Sequence, residues 1–292
     1  MDPVTLAVVR GSLEQIADEM DLQLIHAAIS PIISETNDCA NGIFHPETGE
    51  TIAQGRYGLP VFLAYMQFAV QHVIGLAREQ GGFKPGDIWI MNDTYVGGSH
   101  LQDVQLVAPI FADGQLFAVL ATTGHWMDIG GNVPGGWGPK ATEIHQEGIV
   151  IPPVKLYEEG RLNEALLAMF KANVRLPKEI AGDLSAMVNV FAVGHRGIEA
   201  LVQRYGRSTL SQCLNEMIAY SERQMRSYIS EIPDGIYRCE DFLDNDGIND
   251  TPVPVKLAIT VKGDEMHFDF TGTGPSTTGP MNMSRNTTLS SC

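Results

Sequence analysis

The spacing of apolar residues changes along the chain, and each change marks a predicted element. Apolar positions recur at helical spacing from Leu6 to Ala27, which predicts a long amphipathic helix over residues 3–29. Asp2 and Pro3 suit its cap and first turn. The same spacing predicts four further helices, over 60–79, 162–170, 177–206 and 208–229, with Ser208 as the cap of the last.

Alternating or continuous apolar runs bounded by turn residues predict strands between these helices. Residues 35–53 have the pattern of a hairpin or meander around Pro46-Glu-Thr-Gly49, and 87–91 that of a short buried strand. Val104–Ile110 and Gln115–Thr123 are apolar runs that flank an Ala-Asp-Gly turn, so they predict a hairpin. The long segment that follows, 132–153, is rich in glycine and proline and predicts an irregular, functional loop.

A different pattern begins near Ile232. Residues 253–261 and 266–270 alternate strictly around a Gly-Asp turn, which predicts antiparallel strands. We therefore expect an α+β protein: a mixed helical and antiparallel-sheet domain over residues 1–231, followed over 232–292 by the start of a β-rich domain. The alternation predicts no closing element after Phe270. We expect residues 271–292 to be poorly packed, and the chain to be part of a longer polypeptide.

Composition narrows the functional classes. The 292 residues carry a formal charge of -16, which argues against nucleic-acid partners and anionic membrane surfaces. The apolar run 186–193 is too short to span a bilayer, and no basic-then-apolar leader opens the sequence. The four scattered cysteines favour free thiols and a cytoplasmic protein.

Two glycine-rich motifs at the ends of the predicted hairpin contain the candidate chemistry. They are Met91-Asn-Asp-Thr-Tyr-Val-Gly-Gly-Ser-His-Leu-Gln-Asp103 and Gly124-His-Trp-Met-Asp-Ile-Gly-Gly131. The hairpin would carry the chain out from Asp103 and bring it back at His125, with His100 close by. Two imidazoles and one carboxylate suit zinc, manganese or iron with open coordination positions. Such an ion would polarise a carbonyl or supply hydroxide.

Three further residues are candidates for proton transfer or orientation. Asp128 follows His125 by three positions and could orient an imidazole, or it could close a turn. His145 and Glu147 lie in the glycine-rich segment and could act as acid or base. The alternative for both is an ordinary loop role.

The same motifs offer candidate substrate-binding groups. Asn92 and Asp93 end a predicted strand beside the site, where they could contact substrate or close the turn. Gly98, Gly130 and Gly131 could present amide N–H groups to an oxyanion, or simply permit tight turns.

Taken together, the motifs resemble the hydantoinase B/oxoprolinase family. The matching stretches are 92–103, 125–131, Ile151-Pro-Pro153, Asn173-Val-Arg-Leu-Pro177, Gly182-Asp-Leu184 and Asp269-Phe-x-Gly-Thr273. The resemblance covers roughly the N-terminal half of a typical member. It implies that His100, Asp103 and His125 are the metal ligands, and that ATP binds to a separate actin-like subunit of hydantoinase A type. Consistently, the glycine-rich stretches 272–279 and 135–140 lack the phosphate-loop pattern.

The resemblance implies a metal-bearing subunit of an ATP-dependent cyclic-amide hydrolase, acting on a small molecule within a hetero-oligomer. Two alternatives stay open. A ketone carboxylase of acetone or acetophenone type would use the same metal with an enolate. A truncated, non-catalytic remnant would keep the motifs without the reaction.

Overall fold

The computed structural model describes residues 2–292 and contains two antiparallel sheets. The helices are α1 (Pro3–Ala27), α2 (Pro31–Ser34), α3 (Pro60–Glu79), α4 (Glu164–Asn173), α5 (Pro177–Tyr205), α6 (Arg207–Ile229) and α7 (Arg285–Ser291). The strands are β1 (Cys39–Phe44), β2 (Thr51–Gln54), β3 (Ile88–Met91), β4 (Asp103–Ala112), β5 (Gln115–His125), β6 (Val154–Glu158), β7 (Arg161–Leu162), β8 (Gly235–Leu243), β9 (Val253–Lys262) and β10 (Glu265–Asp269). The mixed architecture confirms the predicted α+β class.

The large sheet has the order β2-β1-β5-β4-β3-β6-β7 and is covered on both faces. Side chains alternate across a strand, so Leu106 and Leu120 join the cluster formed with α1, α5 and α6. Val107 and Ala121 point to the opposite face, where they pack against α3. Burial on both faces explains why the central strands have continuous apolar runs.

Helix α3 covers one face of this sheet. Among the described residues it is the one helix long and apolar enough to cross a membrane, by length and composition alone. Its side chains Tyr65, Met66, Val70 and Val73 are nonetheless fully buried against the strands. The core helix of a folded domain has the same composition.

The helix boundaries test the capping predictions. The Asp2 carboxylate accepts a hydrogen bond from the Thr5 amide at 2.9 Å, so the predicted cap of α1 is confirmed. The predicted Ser208 cap is wrong. Helix α6 begins at Arg207, directly after Gly206 in the cap position, and no side chain caps it. A backbone turn at glycine therefore separates α5 from α6.

Several elements were not predicted from the pattern, among them the short helix α2. Strands β6 and β7 extend the sheet within a short polar stretch, where β6 pairs with β3. The expectation that no element follows Phe270 is wrong, since α7 lies against α3 and Ser290 Oγ donates to Val61 O at 2.7 Å. Ser284 Oγ also reaches Gly98 O at 3.4 Å. Part of the segment 271–292 is thus held by polar contacts to α3 and to the loop before β4.

The small sheet has the order β10-β9-β8 and is much more exposed than the large one. Every residue of β8 is exposed, whereas every residue of β1 is buried. The small sheet starts at Gly235, close to the predicted boundary between residues 231 and 232. That division into domains remains a prediction.

Candidate metal centre

The β4–β5 hairpin places Asp103 and His125 directly opposite each other. They are cross-strand partners at its open end, on the face that α3 covers. A bulge between Ile110 and Phe111 shifts the register by one residue, and without it Asp103 would face Gly124. The predicted strands ended before these residues. In the structure both candidate ligands belong to the strand ends.

His100 approaches the same carboxylate from the loop before β4. Its Nδ1 lies 2.7 Å from Asp103 Oδ2, and His125 Nδ1 lies 3.3 Å from Asp103 Oδ1. The two imidazole rings have centroids 5.0 Å apart and meet edge to face at 60°. One ligand atom from each of the three residues falls within 4.8 Å of the other two. The structure therefore brings the predicted triad together.

The donor set fits a divalent first-row metal ion. Ligand atoms at about 2.0–2.2 Å from a shared ion are separated from each other by roughly 3.0–3.4 Å. Of the two separations around Asp103, 3.3 Å lies within this range and 2.7 Å lies just below it. Asp103 is completely buried, and His125 is only 6% exposed. A buried carboxylate facing two imidazole nitrogens is an arrangement that a cation stabilises.

Neighbouring side chains hold the Asp103 carboxylate in place. Tyr65 OH, from α3, donates to Asp103 Oδ2 at 2.9 Å. Ser99 Oγ donates a short hydrogen bond to the same oxygen. These contacts orient the carboxylate before any ligand binds, as outer contacts of metal ligands commonly do.

The charges of the centre shift the ionisation of its members. Burial alone would raise the pKa of Asp103, but hydrogen bonds from His100 and His125 outweigh it and hold that pKa well below its usual range. Burial lowers the pKa of His100, yet the hydrogen bond and charge of Asp103 raise it overall. Burial raises the pKa of Tyr65 well above its usual value. The carboxylate is thus ionised and available as a ligand.

Asp38 is a site residue that the sequence analysis missed. Its Oδ2 lies 3.7 Å from His125 Nδ1, and burial raises the pKa of its carboxyl group. It precedes β1, which pairs with β5 so that Cys39 faces Gly124. The sequence feature that could have indicated this residue is the Asn37-Asp38 pair before a buried strand. Only the pairing of β1 with β5 shows that Asp38 lies beside His125.

Asp128 is buried, but its contacts are to the loop and not to an imidazole. Its Oδ1 accepts from Arg175 Nη1 at 3.0 Å, and its Oδ2 accepts from the Arg175 amide at 3.1 Å. Arg175 also donates to the carbonyls of Gly130 and Gly131 at 3.0 and 2.8 Å. The predicted role in orienting His125 remains a prediction. The observed contacts make Asp128 an anchor of the loop after β5.

Asn92 and Asp93 make contacts that hold the first motif together. Asn92 Nδ2 donates to Leu101 O at 2.7 Å, and its Oδ1 accepts from the Ile151 amide at 2.6 Å. Asp93 Oδ1 accepts from the Tyr95 amide at 2.9 Å. Their predicted role in substrate binding remains a prediction, while their turn-closing role is visible in these bonds.

The glycines of the motifs are required by close backbone packing. A Cβ at Gly98 would lie 3.0 Å from Asn92 O. At Gly130 and Gly131, φ is +83° and +80°, and a Cβ would lie 2.8 Å from Asn173 O or 2.6 Å from Gln146 O. Their use as oxyanion donors stays a prediction.

His145 and Glu147 occupy different environments although they are two residues apart. His145 lies in a short 3-10 helix, Ile144–Gln146, and is exposed. Glu147 is half-buried; burial raises its pKa, and the charge of His100 acts in the opposite direction. Glu147 is thus electrostatically coupled to the centre.

Comparison with known proteins agrees with the motifs. The sequence profile of the hydantoinase B/oxoprolinase family matches residues 2–292. The chain belongs to this family. The caprolactamase subunit beta of Pseudomonas jessenii is 34% identical over 267 residues, which are 91% of this chain and 45% of that protein. The chain spans about half the length of several curated relatives that it matches.

One further relative widens the range of chemistry within the family, and a solved structure supports the fold. The acetophenone carboxylase delta subunit of Aromatoleum aromaticum is 33% identical over 201 residues, which are 68% of this chain and 29% of that protein. The crystal structure of the ATP-dependent caprolactamase from Pseudomonas jessenii superposes with a TM-score of 0.91 at 31% identity. The superposition covers 99% of this chain and 49% of the caprolactamase chain.

Proposed function

We propose that this chain provides the metal-bearing catalytic centre of an ATP-dependent hydrolase of cyclic amides. The observation that carries the proposal is the convergence of His100, Asp103 and His125 within 4.8 Å. The caprolactamase relatives, which are named for a cyclic amide, support the substrate class.

Several residues of the chain would have separate roles in such a site. A divalent ion held by the triad would supply activation of water for attack on the ring carbon and stabilisation of the negative charge that develops there. The two carboxylate oxygens of Asp103 orient the two imidazole rings, since each oxygen lies close to one ring nitrogen. Tyr65 and Ser99 keep that carboxylate from rotating. Glu147, with its raised pKa, is suited to return a proton to the departing ring nitrogen.

ATP enters the proposal through a partner. An unstrained lactam is a stable amide, so its hydrolysis gains from transfer of a phosphoryl group from ATP to the amide oxygen, which makes the ring carbon electrophilic. Addition of water to that carbon and loss of the ring nitrogen would leave an acyl phosphate, which a second water would hydrolyse to the ring-opened acid and phosphate. This chain has no phosphate-loop pattern in its sequence. We assign that step to an actin-like, ATP-binding subunit of hydantoinase A type within a hetero-oligomer. Relatives named as subunits support this division of labour. The buried free thiol of Cys39 suits the cytoplasm.

A ketone carboxylase is the second candidate, supported by the acetophenone carboxylase subunit among the relatives. In that reaction the same triad would face an enolate, and the nucleophile would be the substrate carbon. A non-catalytic remnant is the third. It predicts no bound metal and no turnover with any partner.

One experiment separates the three. The protein is co-purified with its ATP-binding partner, analysed for bound metal, and assayed for ATP turnover over a panel of lactams and ketones with and without bicarbonate. We expect a stoichiometric divalent metal and ATP hydrolysis stimulated by a lactam. Stimulation that needs both ketone and bicarbonate would show the carboxylase instead. Absence of metal and of turnover would show the remnant.

Matched variants tie the result to the site. His125→Ala should remove the metal and the turnover, whereas His195→Ala, on an exposed position of α5, should keep both. The isolated chain should not bind ATP. Tight ATP binding to the chain alone, measured by calorimetry, would contradict the proposed division between subunits.

A further inference from the structure

Trp137 is a large aromatic side chain beside the centre to which the proposed chemistry assigns no role. It is 66% exposed, whereas the other two tryptophans of the chain, Trp89 and Trp126, are 2% and 0% exposed. Single exposed apolar side chains are common on protein surfaces, so exposure alone identifies nothing. The position of this indole is what distinguishes it.

The indole lies over both candidate histidine ligands. Its centroid is 5.1 Å from that of His100, with the rings edge to face at 73°. It is 6.4 Å from that of His125, with the rings nearly parallel at 14°. Trp137 therefore forms an aromatic wall on the solvent side of the centre, aligned with one of its imidazoles.

The backbone beneath the indole is held from several directions. Gln102 Nε2 donates to Gly135 O at 3.0 Å, and Arg175 Nη1 donates to Val133 O at 3.2 Å. After Trp137, the Pro139 carbonyl packs against Gly247, in the loop that joins β8 to β9. The backbone around Trp137 is held in place while its ring is exposed. Little conformational entropy is therefore lost when a ligand stacks on the ring, which suits a binding surface.

We propose that Trp137 determines which rings this site accepts: its indole stacks on the flat face of a planar, conjugated cyclic amide and disfavours puckered, saturated rings. This inference rests on the proposed function, since it takes the substrate ring to lie over His100 and His125. The chemical class is a small cyclic imide or ureide whose ring atoms lie in one plane.

Ring shape matters because stacking depends on contact over a whole face. A planar conjugated ring meets the indole with all its atoms and gains the additional attraction of aromatic pairs. A saturated ring of equal size touches with only a few atoms. The difference corresponds to about a tenfold preference in affinity.

The first test locates the indole by fluorescence. Subtracting the spectrum of Trp137→Phe from that of the unmodified protein isolates the emission of Trp137. Divalent cobalt, which quenches nearby indoles, should quench this emission at the concentration that fills the site. The effect should be absent in His125→Ala. Quenching that is unchanged in His125→Ala, or no quenching of Trp137 by bound cobalt, would show that the indole does not cover the centre.

The second test uses a matched pair of probes. Uracil and dihydrouracil have the same ring size and polar groups, but the first is flat and the second is puckered. Their affinities for the metal-loaded protein are measured by calorimetry for the unmodified protein and for Trp137→Leu, which keeps an apolar side chain without a stacking face. Tyr228→Leu, at an exposed position of α6, serves as the control.

We expect about a tenfold preference for uracil in the unmodified protein and in Tyr228→Leu, reduced to about equal affinity in Trp137→Leu. Equal affinities in the unmodified protein, a preference that survives in Trp137→Leu, or no binding of uracil would each overturn the inference. The role of Trp137 and the proposed function can be refuted independently of each other. Loss of amide hydrolysis with an intact uracil preference would refute the function alone, and hydrolysis without the preference would refute the role of Trp137.

Discussion

The two sheets of this protein are both antiparallel, yet they differ in how much of each sheet is buried. Strand β1 in the large sheet is buried along its whole length, and β8 in the small sheet is exposed along its whole length. The large sheet is covered by α3 on one face and by α1, α5 and α6 on the other. The candidate metal centre lies at the end of two strands of the covered sheet.

The difference explains where a charged site can be built. A carboxylate such as Asp103 is costly to bury unless neighbours hydrogen-bond to it, and a packed sheet holds those neighbours at fixed distances. Four matched pairs of substitutions, one member in each sheet region, test this view.

The largest effect is expected for Asp103→Ala compared with Asp264→Ala. The first removes a fully buried ligand and leaves two imidazoles without their carboxylate, so metal affinity should fall by at least about 100-fold and unfolding free energy by about 3–5 kcal/mol. Asp264 lies exposed in the turn before β10, and its loss should cost no more than about 0.5 kcal/mol. Elemental analysis and urea unfolding give both values. Retained metal in Asp103→Ala would remove it from the ligand set.

The second pair is Phe44→Ala and Phe242→Ala. Phe44 is completely buried in β1, so truncation should create a cavity and cost about 3–5 kcal/mol. Phe242 in β8 is 54% exposed, and its truncation should cost about 1 kcal/mol or less. Equal costs would contradict the comparison. A cost for Phe242→Ala that grows with protein concentration would show that the small sheet is covered by association.

The third pair removes one hydroxyl from each region. Tyr65→Phe deletes the donor to buried Asp103 and should cost about 1–3 kcal/mol, together with weaker metal binding. Tyr237→Phe deletes an exposed hydrogen bond to Pro233 O and should cost about 0.5 kcal/mol or less. Unfolding curves of the metal-free proteins measure both. Comparable losses of unfolding free energy would mean that burial does not determine how much such a hydrogen bond contributes to stability.

The smallest effect concerns pH and the metal-free protein. The raised pKa of His100 means that its contribution to stability is complete below its unfolded pKa, about 6.5, and is lost as pH rises through the higher folded value. The lowered pKa of Asp103 contributes above its unfolded value of about 3.9 and is lost in strong acid. The combined contribution of these two groups should therefore be greatest between about pH 4 and 6.5 and decline as pH rises through the folded pKa of His100.

His100→Asn should flatten that decline, and His267→Asn, at an exposed position of β10, should leave it unchanged. Thermal melts of the metal-free variants across this pH range provide the measurement. A decline that persists in His100→Asn would assign it to another group.

Much of the site was predictable because its residues are close in sequence to recognisable turns. The hairpin pattern placed Asp103 and His125 at adjacent strand ends, and the structure pairs them. Asp38 was not found, because its proximity to His125 depends on the pairing of β1 with β5 across a long sequence separation. The contacts of Asp128 depend in the same way on Arg175, which is far along the chain.

By itself the sequence determined the helices with a strong apolar period, the β4–β5 hairpin, the donor set of the centre and the family. These properties depend on residue types and short spacings, which local backbone preferences translate directly into structure. Tertiary structure alone decided the one-residue bulge that aligns Asp103 with His125, the burial of one sheet and the exposure of the other, and the position of Trp137 over the histidines. Those properties depend on contacts between residues far apart in the chain, whose free energy arises only when whole elements pack together.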